Sequence, residues 1–199
     1  MTILNHYIVE GAESEGAGSA LILHGILGSA KNWRGFSRHL VSPRPKWRVL
    51  LPDLRHHGES HGFDAPDTVA ACVKDLIALC EESGVLPSVI IGHSFGGKVA
   101  LQLAAQAPWP VESVWALDTA PGLRGAGARG PGSEIGQVLK SLRDVRMPAP
   151  SRDAVDMALQ GAGLSAGIRA WMTTNLRRSE EGVVWRFDLP AVESLIADY

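Results

Sequence analysis

The stretch Ser88-Val-Ile-Ile-Gly-His-Ser-Phe-Gly-Gly97 decides the fold of this chain. A short β-branched run leads into Gly92-His93-Ser94-Phe95-Gly96, and a helical pattern of apolar residues follows from Lys98. A Gly-x-Ser-x-Gly pattern between a strand and a helix predicts a nucleophile elbow, a tight turn that presents the serine above a sheet. The alternative is a glycine-rich turn that contains a serine by chance. It does not explain why a strand pattern precedes the motif and a helix pattern follows it.

Composition indicates an ordinary globular domain. The 199 residues carry a formal net charge of −2, with 45% hydrophobic and 20% charged residues. This balance gives no sign of a nucleic-acid-binding stripe, and no apolar run reaches the roughly 20 residues that span a bilayer. The first residues show neither a signal-peptide nor a transit-peptide pattern. We therefore expect a soluble intracellular protein, without distinguishing the cytoplasm from an organelle matrix.

The two cysteines, Cys72 and Cys80, lie eight positions apart within one helical pattern. That spacing puts them on a similar helix face but too far apart for a disulfide. Buried free thiols in a reducing compartment are the preferred interpretation. No Cys-x-x-Cys spacing is present, and we expect neither a metal ion nor a cofactor.

Short apolar strands alternate with helical patterns along the first 121 residues. Strands are predicted at 7–10, 20–23, 48–51, 111–117 and directly before the elbow, and helices at 31–41, 69–83 and after Gly97. Either Asp67 or Thr68 is expected to cap the second helix, and Gly84 to close it. This alternation predicts an α/β fold with a parallel sheet and right-handed crossovers.

The composition changes after Pro121. Five glycines within 122–132 predict a mobile linker. Helical patterns then follow at 133–143, 152–160 and 165–178, and we interpret them as a cap inserted over the elbow. The predicted organisation is therefore a core at 1–121, a linker and helical cap at 122–182, and a return toward the core at 183–199.

Acyl transfer through a serine needs a nucleophile, a base, an orienting acid and N–H donors for the oxyanion. Ser94 is the predicted nucleophile, and the backbone N–H of Phe95 is the predicted first donor. The second donor is expected after strand 20–23, where Gly25 allows close approach and the Ile26 N–H faces the substrate. His24 is expected to be a hydrogen-bonded structural residue.

Two aspartates end predicted strands. Asp118 follows strand 111–117 at the carboxyl edge, where the active site of a parallel sheet lies, and is the candidate orienting acid. A helix cap or turn is the alternative role for Asp118. Asp53 follows a strand that precedes Ser94, so the chain order of a serine triad makes a structural role the preferred interpretation.

None of the seven histidines follows Ser94. His93 is a poor base because neighbouring side chains diverge at a tight turn. His56, His57 and His61 share one loop, for which a solvated loop is favoured over a metal site. The sequence therefore offers no histidine in the place expected of the base.

Several segments carry a more specific signal than the elbow alone. They are residues 24–29 with Asn32-Trp33, 53–60, 92–98, 118–121, and 174–176 with Trp185-Arg186. Together they resemble the α/β-hydrolase superfamily, and more narrowly the group of α/β-hydrolase domain-containing protein 11 and its small bacterial esterase relatives. The resemblance implies an α/β-hydrolase fold with a helical lid and hydrolysis of carboxylic esters, either acyl or lipid esters or thioesters. In some relatives the acid follows the strand after the nucleophile, as Asp118 does, and in others it comes later.

The family's catalytic histidine lies in a further segment that this chain lacks, so we expect a fold that is incomplete at its C-terminal side. One hypothesis is a fragment or shortened gene product of an active esterase, with impaired activity in this chain. The other is an inactive scaffold that binds a ligand or a protein partner, and a partner chain could cover strand 111–117 as an exposed sheet edge. A nucleotide-binding domain is disfavoured because no Gly-x-Gly-x-x-Gly follows the first strand. Trp171, Met172 and Leu176 could line an apolar acyl pocket or belong to the core.

Overall fold

The computed structural model describes residues 2–13, 18–122 and 133–198. Its central sheet has the strand order β1-β3-β2-β4-β5. The strands are β1 (His6–Glu10), β2 (Gly18–Leu23), β3 (Trp47–Pro52), β4 (Val89–His93) and β5 (Ser113–Leu117). β1 pairs antiparallel with β3, and the other neighbours are parallel. The predicted mostly parallel α/β sheet is confirmed.

Three helices cover the two faces of this sheet. They are α1 (Arg34–Val41), α2 (Val69–Ser83) and α3 (Phe95–Gln106). The predicted helix at 31–41 begins instead as a 3-10 turn, Ala30–Trp33, and α1 follows it. Alternating strand side chains divide between the faces: Leu21 and Leu50 pack in the cluster that includes α2 and α3, whereas Ile22 and Leu51 pack on the opposite side. The central strands are thus buried on both faces, which explains their continuous apolar runs.

The ends of α2 are fixed by local chemistry. The Thr68 side chain accepts a hydrogen bond from the Ala71 N–H, so Thr68 rather than Asp67 is the N-cap. Gly84 ends the helix at a φ of +66°, a left-handed conformation that glycine adopts without strain. Cys72 and Cys80 are buried free thiols, as predicted, and burial raises the pKa of Cys80 to about 12.

After β5 the strand–helix alternation stops. Helices α4 (Glu134–Asp144), α5 (Arg152–Gly161) and α6 (Ala166–Thr174) match the three predicted helical patterns in order. The helix predicted over 165–178 is wrong in its last turn, because β6 (Leu176–Ser179) pairs with β7 (Gly182–Trp185) in an antiparallel hairpin. The predicted linker at 122–132 lies outside the described residues, except for Gly122.

A final helix, α7 (Leu189–Asp198), was not predicted. Its N-terminal end is tied to the core by a hydrogen bond from the Asp188 N–H to the His56 carbonyl. Its C-terminal end is tied by the Asp198 carboxylate, which accepts from the Val69 N–H at the start of α2 over 2.8 Å. The last segment therefore contacts the core through both ends of α7.

β5 has β4 as its single neighbour in the five-stranded sheet, and Trp115 on this strand is 59% exposed. The strand is thus a sheet edge, as expected. None of the helices within residues 2–13, 18–122 and 133–198 is long and apolar enough to cross a membrane.

Candidate active site

Ser94 occupies a strained turn between β4 and α3. Its φ of 51° and ψ of −117° are rare for a residue with a side chain, and such strain concentrates at functional sites. The turn is possible because its neighbours are glycines. A Cβ on Gly92 would lie 2.2 Å from the Gly96 carbonyl oxygen, and a Cβ on Gly96 would lie 2.4 Å from the His24 carbonyl oxygen. The predicted elbow therefore has the required backbone geometry.

Hydrogen bonds hold the Ser94 backbone from two sides. Its N–H donates to the Leu117 carbonyl over 2.9 Å, and its carbonyl accepts from the Gly97 N–H over 2.9 Å and from Thr119 Oγ1 over 2.7 Å. In the part of the chain that the structure describes, no hydrogen bond is made by Ser94 Oγ. The backbone is thus fixed while the hydroxyl remains available to a substrate.

The loop after β2 lies against the elbow. A Cβ on Gly25 would lie 3.3 Å from Ser94 Cβ and 2.9 Å from His93 Nδ1, so a larger residue would force the side chains of the elbow to shift. Ile26 follows in the wall of the same cavity, and no described residue accepts a hydrogen bond from its N–H. Phe95, whose N–H was the other predicted donor, begins α3 and is fully buried. The structure thus brings both predicted donor positions next to Ser94.

A cavity of about 640 Å³ opens above Ser94. Its polar lining includes His93, Ser94 and Asp118, and most of the rest is aromatic or aliphatic. The apolar lining comes from both the core and the region after β5: Trp33, Phe36, Ile135, Val138, Ile168 and Trp171. Helices α4 and α6 therefore form part of the wall around the elbow. Trp171 lines the cavity, whereas Met172 and Leu176 belong to the core.

Asp118 directly follows β5, has a φ of 51° and lines the cavity that contains Ser94. No histidine among the described residues forms a hydrogen bond with its carboxylate. His93 lies in the same wall, with its ring 6.3 Å from that of Trp33, and makes no hydrogen bond with Ser94 in the described chain. The structure brings the predicted nucleophile and acid into one cavity but places no described histidine between them.

The prediction of a solvated histidine loop is wrong for two of its three histidines. His56 and His57 are buried, at 7% and 0% exposure. His56 Nε2 lies 2.6 Å from the Asp67 carboxylate, and His61 Nε2 lies 3.0 Å from the Gly58 carbonyl oxygen. His61 is exposed, as predicted, so the prediction fails for His56 and His57 only. Tertiary packing buries these two side chains, and the local polarity of the loop does not indicate it. Within the described residues no group of histidine, cysteine or acidic side chains is arranged to hold a metal ion.

His24 and His57 are neutral, buried and hydrogen-bonded at both ring nitrogens. His24 Nδ1 donates to the Gly25 carbonyl over 2.8 Å, and Nε2 accepts from the Leu54 N–H over 2.9 Å. His57 Nδ1 donates to the Arg55 carbonyl over 2.9 Å, and Nε2 accepts from the Leu27 N–H over 3.2 Å. Burial lowers the pKa of both imidazoles, that of His57 to about 3. The structural role expected of His24 is confirmed.

The expected structural role of Asp53 is also confirmed. Its carboxylate, 1% exposed, accepts from the N–H groups of Ala30 and Glu59 and from the side-chain amide of Asn5, over 2.8–3.0 Å. Gly58 is required beside it, since a Cβ there would lie 2.2 Å from Asp53 Cγ. The Asp53 carboxylate therefore joins the ends of three loops and faces no substrate cavity.

Arg55 is a buried residue whose role the sequence analysis missed. Its guanidinium donates to Asp75 over 2.8 Å, to Asp67 over 3.1 Å and to the Pro66 carbonyl over 2.7 Å. Burial would lower the pKa of Arg55, but the hydrogen bond and charge of Asp75 outweigh it and raise the pKa. The only signal in the sequence was the segment 53–60, which matched the family without indicating what its arginine contacts.

Comparison with known proteins agrees with this architecture. The family model for the alpha/beta hydrolase fold matches residues 21–142. The chain is 35% identical over 175 residues to the sn-1-specific diacylglycerol lipase ABHD11 of Mus musculus, covering 85% of this chain and 54% of that protein. It is 36% identical over 137 residues to Lipase LipV of Mycobacterium tuberculosis, covering 69% of this chain and 49% of that protein. The chain spans about half the length of these two relatives.

Among solved structures, a marine microorganism esterase superposes with a TM-score of 0.84 at 25% identity, over 100% of this chain and 73% of that one. A strained serine elbow on a mostly parallel sheet, beside a glycine-containing loop after β2, is typical of α/β-hydrolases. The chain belongs to the α/β-hydrolase fold family.

Proposed function

We propose that this chain is the elbow-bearing part of a serine-dependent carboxylic ester hydrolase. The observation that carries the proposal is the position of Ser94, held in a strained turn at an apolar cavity it shares with Ile26 and Asp118. A turn made only to connect β4 to α3 would not need the unfavourable backbone of Ser94. The names of the two relatives and of the marine esterase support the same chemistry.

In the proposed reaction Ser94 Oγ attacks the ester carbonyl carbon and gives its proton to a general base. The N–H groups of Ile26 and Phe95 stabilise the oxyanion, and the base returns the proton to the departing alcohol. Water then hydrolyses the acyl-enzyme by the same steps. Asp118 is assigned to orient the base, and no residue of this chain is assigned to be the base itself.

The cavity favours an uncharged ester with an apolar acyl chain. Trp33 and Phe36 on one side and Ile168 and Trp171 on the other form an apolar wall that suits an acyl group. A lipid ester or an acyl thioester has the same reacting carbonyl and the same kind of chain. The buried thiols Cys72 and Cys80 support a reducing compartment, either the cytoplasm or an organelle matrix.

Hydrolysis of p-nitrophenyl butyrate by the 199-residue chain tests the proposal. When a triad member is missing, the oxyanion hole and binding alone retain about 10³-fold catalysis over water, so slow turnover by itself does not identify the nucleophile. The deciding readout is the butyryl group attached to Ser94, detected by mass spectrometry after reaction with the ester. We expect this adduct in the parent chain and in Ser194→Ala, on the exposed side of α7, and its loss in Ser94→Ala. A butyryl group on another residue of the parent chain, or no adduct at all, would contradict the assignment of the nucleophile.

The second candidate function is a scaffold that binds an ester ligand or a protein without turnover. The exposed β5 edge, with Trp115 on its surface, favours a partner chain. Absence of turnover together with saturable binding of a non-hydrolysable ether analogue would support it. Sedimentation of the chain beside Trp115→Lys tests the partner, since a self-association that uses this edge should weaken in the variant.

A further inference from the structure

Two loops meet beside the elbow, and two histidines join them. The first loop, residues 24–28, contains Gly25 and Ile26, and the second, residues 53–58, follows β3. Each histidine makes one hydrogen bond to each loop, and the two rings contact each other with centroids 5.1 Å apart. Both side chains are buried; His24 lies in the lining of the cavity above Ser94 with both ring nitrogens hydrogen-bonded, whereas His57 lies outside that lining.

The hydrogen bonds require one tautomer of each ring. Nδ1 donates to a carbonyl and Nε2 accepts from a backbone N–H in both histidines. A doubly protonated ring could not accept at Nε2, and the opposite tautomer would leave a donor facing a donor. The two imidazoles therefore work as neutral, oriented bridges.

These bridges act on the peptide that carries the proposed oxyanion donor. The Gly25 carbonyl accepts from His24 Nδ1 over 2.8 Å and from the Gly28 N–H over 3.0 Å. The Gly25–Ile26 peptide is trans, so its N–H points away from its carbonyl. Two hydrogen bonds on the carbonyl side thus fix the direction of the Ile26 N–H.

His57 restrains Leu27, the residue that follows Ile26. Leu27 has a φ of 59°, which is strained for a leucine, and its N–H donates to His57 Nε2. The hydrogen bond favours this conformation over an unstrained one that would rotate the preceding peptide. Leu27 is fully buried, so no water replaces the imidazole.

We infer that His24 and His57 are positioning residues that hold the Ile26 N–H toward the reacting carbonyl of a substrate at Ser94. The inference rests on the proposed function for the role of that N–H, and on the structure for the restraint itself. A purely structural role would depend on both hydrogen bonds of each ring. The direction of the Ile26 N–H depends only on the bonds to residues 24–28.

Amide substitutions separate the two bonds of each ring. His24→Asn retains a donor near Nδ1 for the Gly25 carbonyl, whereas His24→Gln retains an acceptor near Nε2 for the Leu54 N–H. His57→Gln retains the acceptor for the Leu27 N–H, whereas His57→Asn retains the donor for the Arg55 carbonyl. Each variant thus keeps one bond and loses one, and the two variants at each position are matched controls for each other.

We expect His24→Gln and His57→Asn to lose about 10²-fold in kcat on p-nitrophenyl butyrate with KM changed by less than about threefold. His24→Asn and His57→Gln should stay within about tenfold of the parent kcat at a similar Tm. Loss of kcat that follows Tm across all four variants, regardless of which bond is kept, would overturn the inference.

The experiment also separates this inference from the proposed function. If the parent chain hydrolyses no ester, the proposed function fails, and crystal structures of the four variants then decide the inference. We expect the Gly25–Ile26 peptide to turn in His24→Gln and His57→Asn and to keep its direction in the other two. An unchanged peptide in all four variants would show that the histidines do not restrain it.

Discussion

Thr119 fixes the elbow from the end of the neighbouring strand. Its Oγ1 donates to the Ser94 carbonyl over 2.7 Å and also lies 3.1 Å from the Leu117 carbonyl oxygen. The same hydroxyl occupies the space beside Gly97, where an added Cβ would lie 2.1 Å from it. The Thr119 side chain therefore fixes the Ser94 backbone and also restricts position 97 in α3 to a residue without a side chain.

Gly97→Ala is expected to destabilise the protein by about 1–3 kcal/mol, because the methyl group would overlap Thr119 in a packed region. Urea unfolding measures the change. Thr119→Ala removes the overlapping atoms, so the double variant should lose less stability than the sum of the two single variants. Gly161→Ala at the end of α5, where an added Cβ meets nothing within 4 Å, is the matched control. Equal losses in Gly97→Ala and Gly161→Ala would contradict the prediction.

Asp53→Asn is expected to cost about 2–4 kcal/mol of unfolding free energy. All three partners of the carboxylate are N–H donors, so an amide group would place its own donor against at least one of them. The shift of the urea midpoint measures the effect. Asp153→Asn, in the exposed first turn of α5, is the control and should change stability by less than about 0.5 kcal/mol.

Acid is expected to destabilise the fold through His24 and His57. Burial lowers the pKa of both below 6.5, so between about pH 6.5 and the folded pKa the unfolded state binds more protons. The stabilisation is complete above pH 6.5 and is lost as the pH falls toward the folded pKa, which for His57 is about 3. The negative charge of Asp53 raises the pKa of His24 and so opposes this shift. The charges of His56 and His61 lower the pKa of His57 further.

Unfolding free energies at pH 7 and pH 5 measure this loss, which for His57, with its pKa of about 3, approaches about 1.4 kcal/mol per pH unit below pH 6.5. His57→Gln keeps the acceptor for Leu27 but cannot bind a proton, so its pH dependence should be shallower than that of the parent. An identical slope in the two proteins would refute the prediction for His57.

Arg55→Lys is expected to destabilise the protein by about 3 kcal/mol. A lysine ammonium cannot reach Asp75, Asp67 and the Pro66 carbonyl at once, so a carboxylate that is only 15% exposed loses its arginine partner. Arg143→Lys, whose pair with Glu193 lies at the surface, is the control and should leave the urea midpoint unchanged. A comparable shift in both variants would mean that burial of Arg55 carries no special cost.

Features set by local chemistry could be predicted from the sequence. Thr68 and Gly84 end α2 through contacts within a few residues, and Gly92 and Gly96 permit the elbow by their lack of a side chain. The buried strands were recognisable by apolar runs. For the candidate site, Ser94, Ile26 and Asp118 line one cavity, as expected for residues at the carboxyl edge of a parallel sheet, while their catalytic roles stay predictions.

Features set by long-range contacts could not be predicted. Because segment 55–61 is polar, the sequence predicts that it is exposed to solvent. Arg55, His56 and His57 are nevertheless buried, because α2, α7 and residues 24–28 surround them. The β6–β7 hairpin has only four residues per strand, and part of its pairing comes from Ala149, far away in sequence. No local sequence pattern indicates contacts between residues that are so far apart in the sequence.

The bond between Asp198 and the Val69 N–H joins residues 129 positions apart. Because synthesis proceeds from the N-terminus, the first turn of α2 is made long before the carboxylate that it will contact. Closure of so long a loop costs conformational entropy before it gains a contact, and non-local contacts of this kind slow folding. During synthesis α7 can therefore dock on the first turn of α2 only after residue 198 has been added, when every strand of the central sheet has already been made.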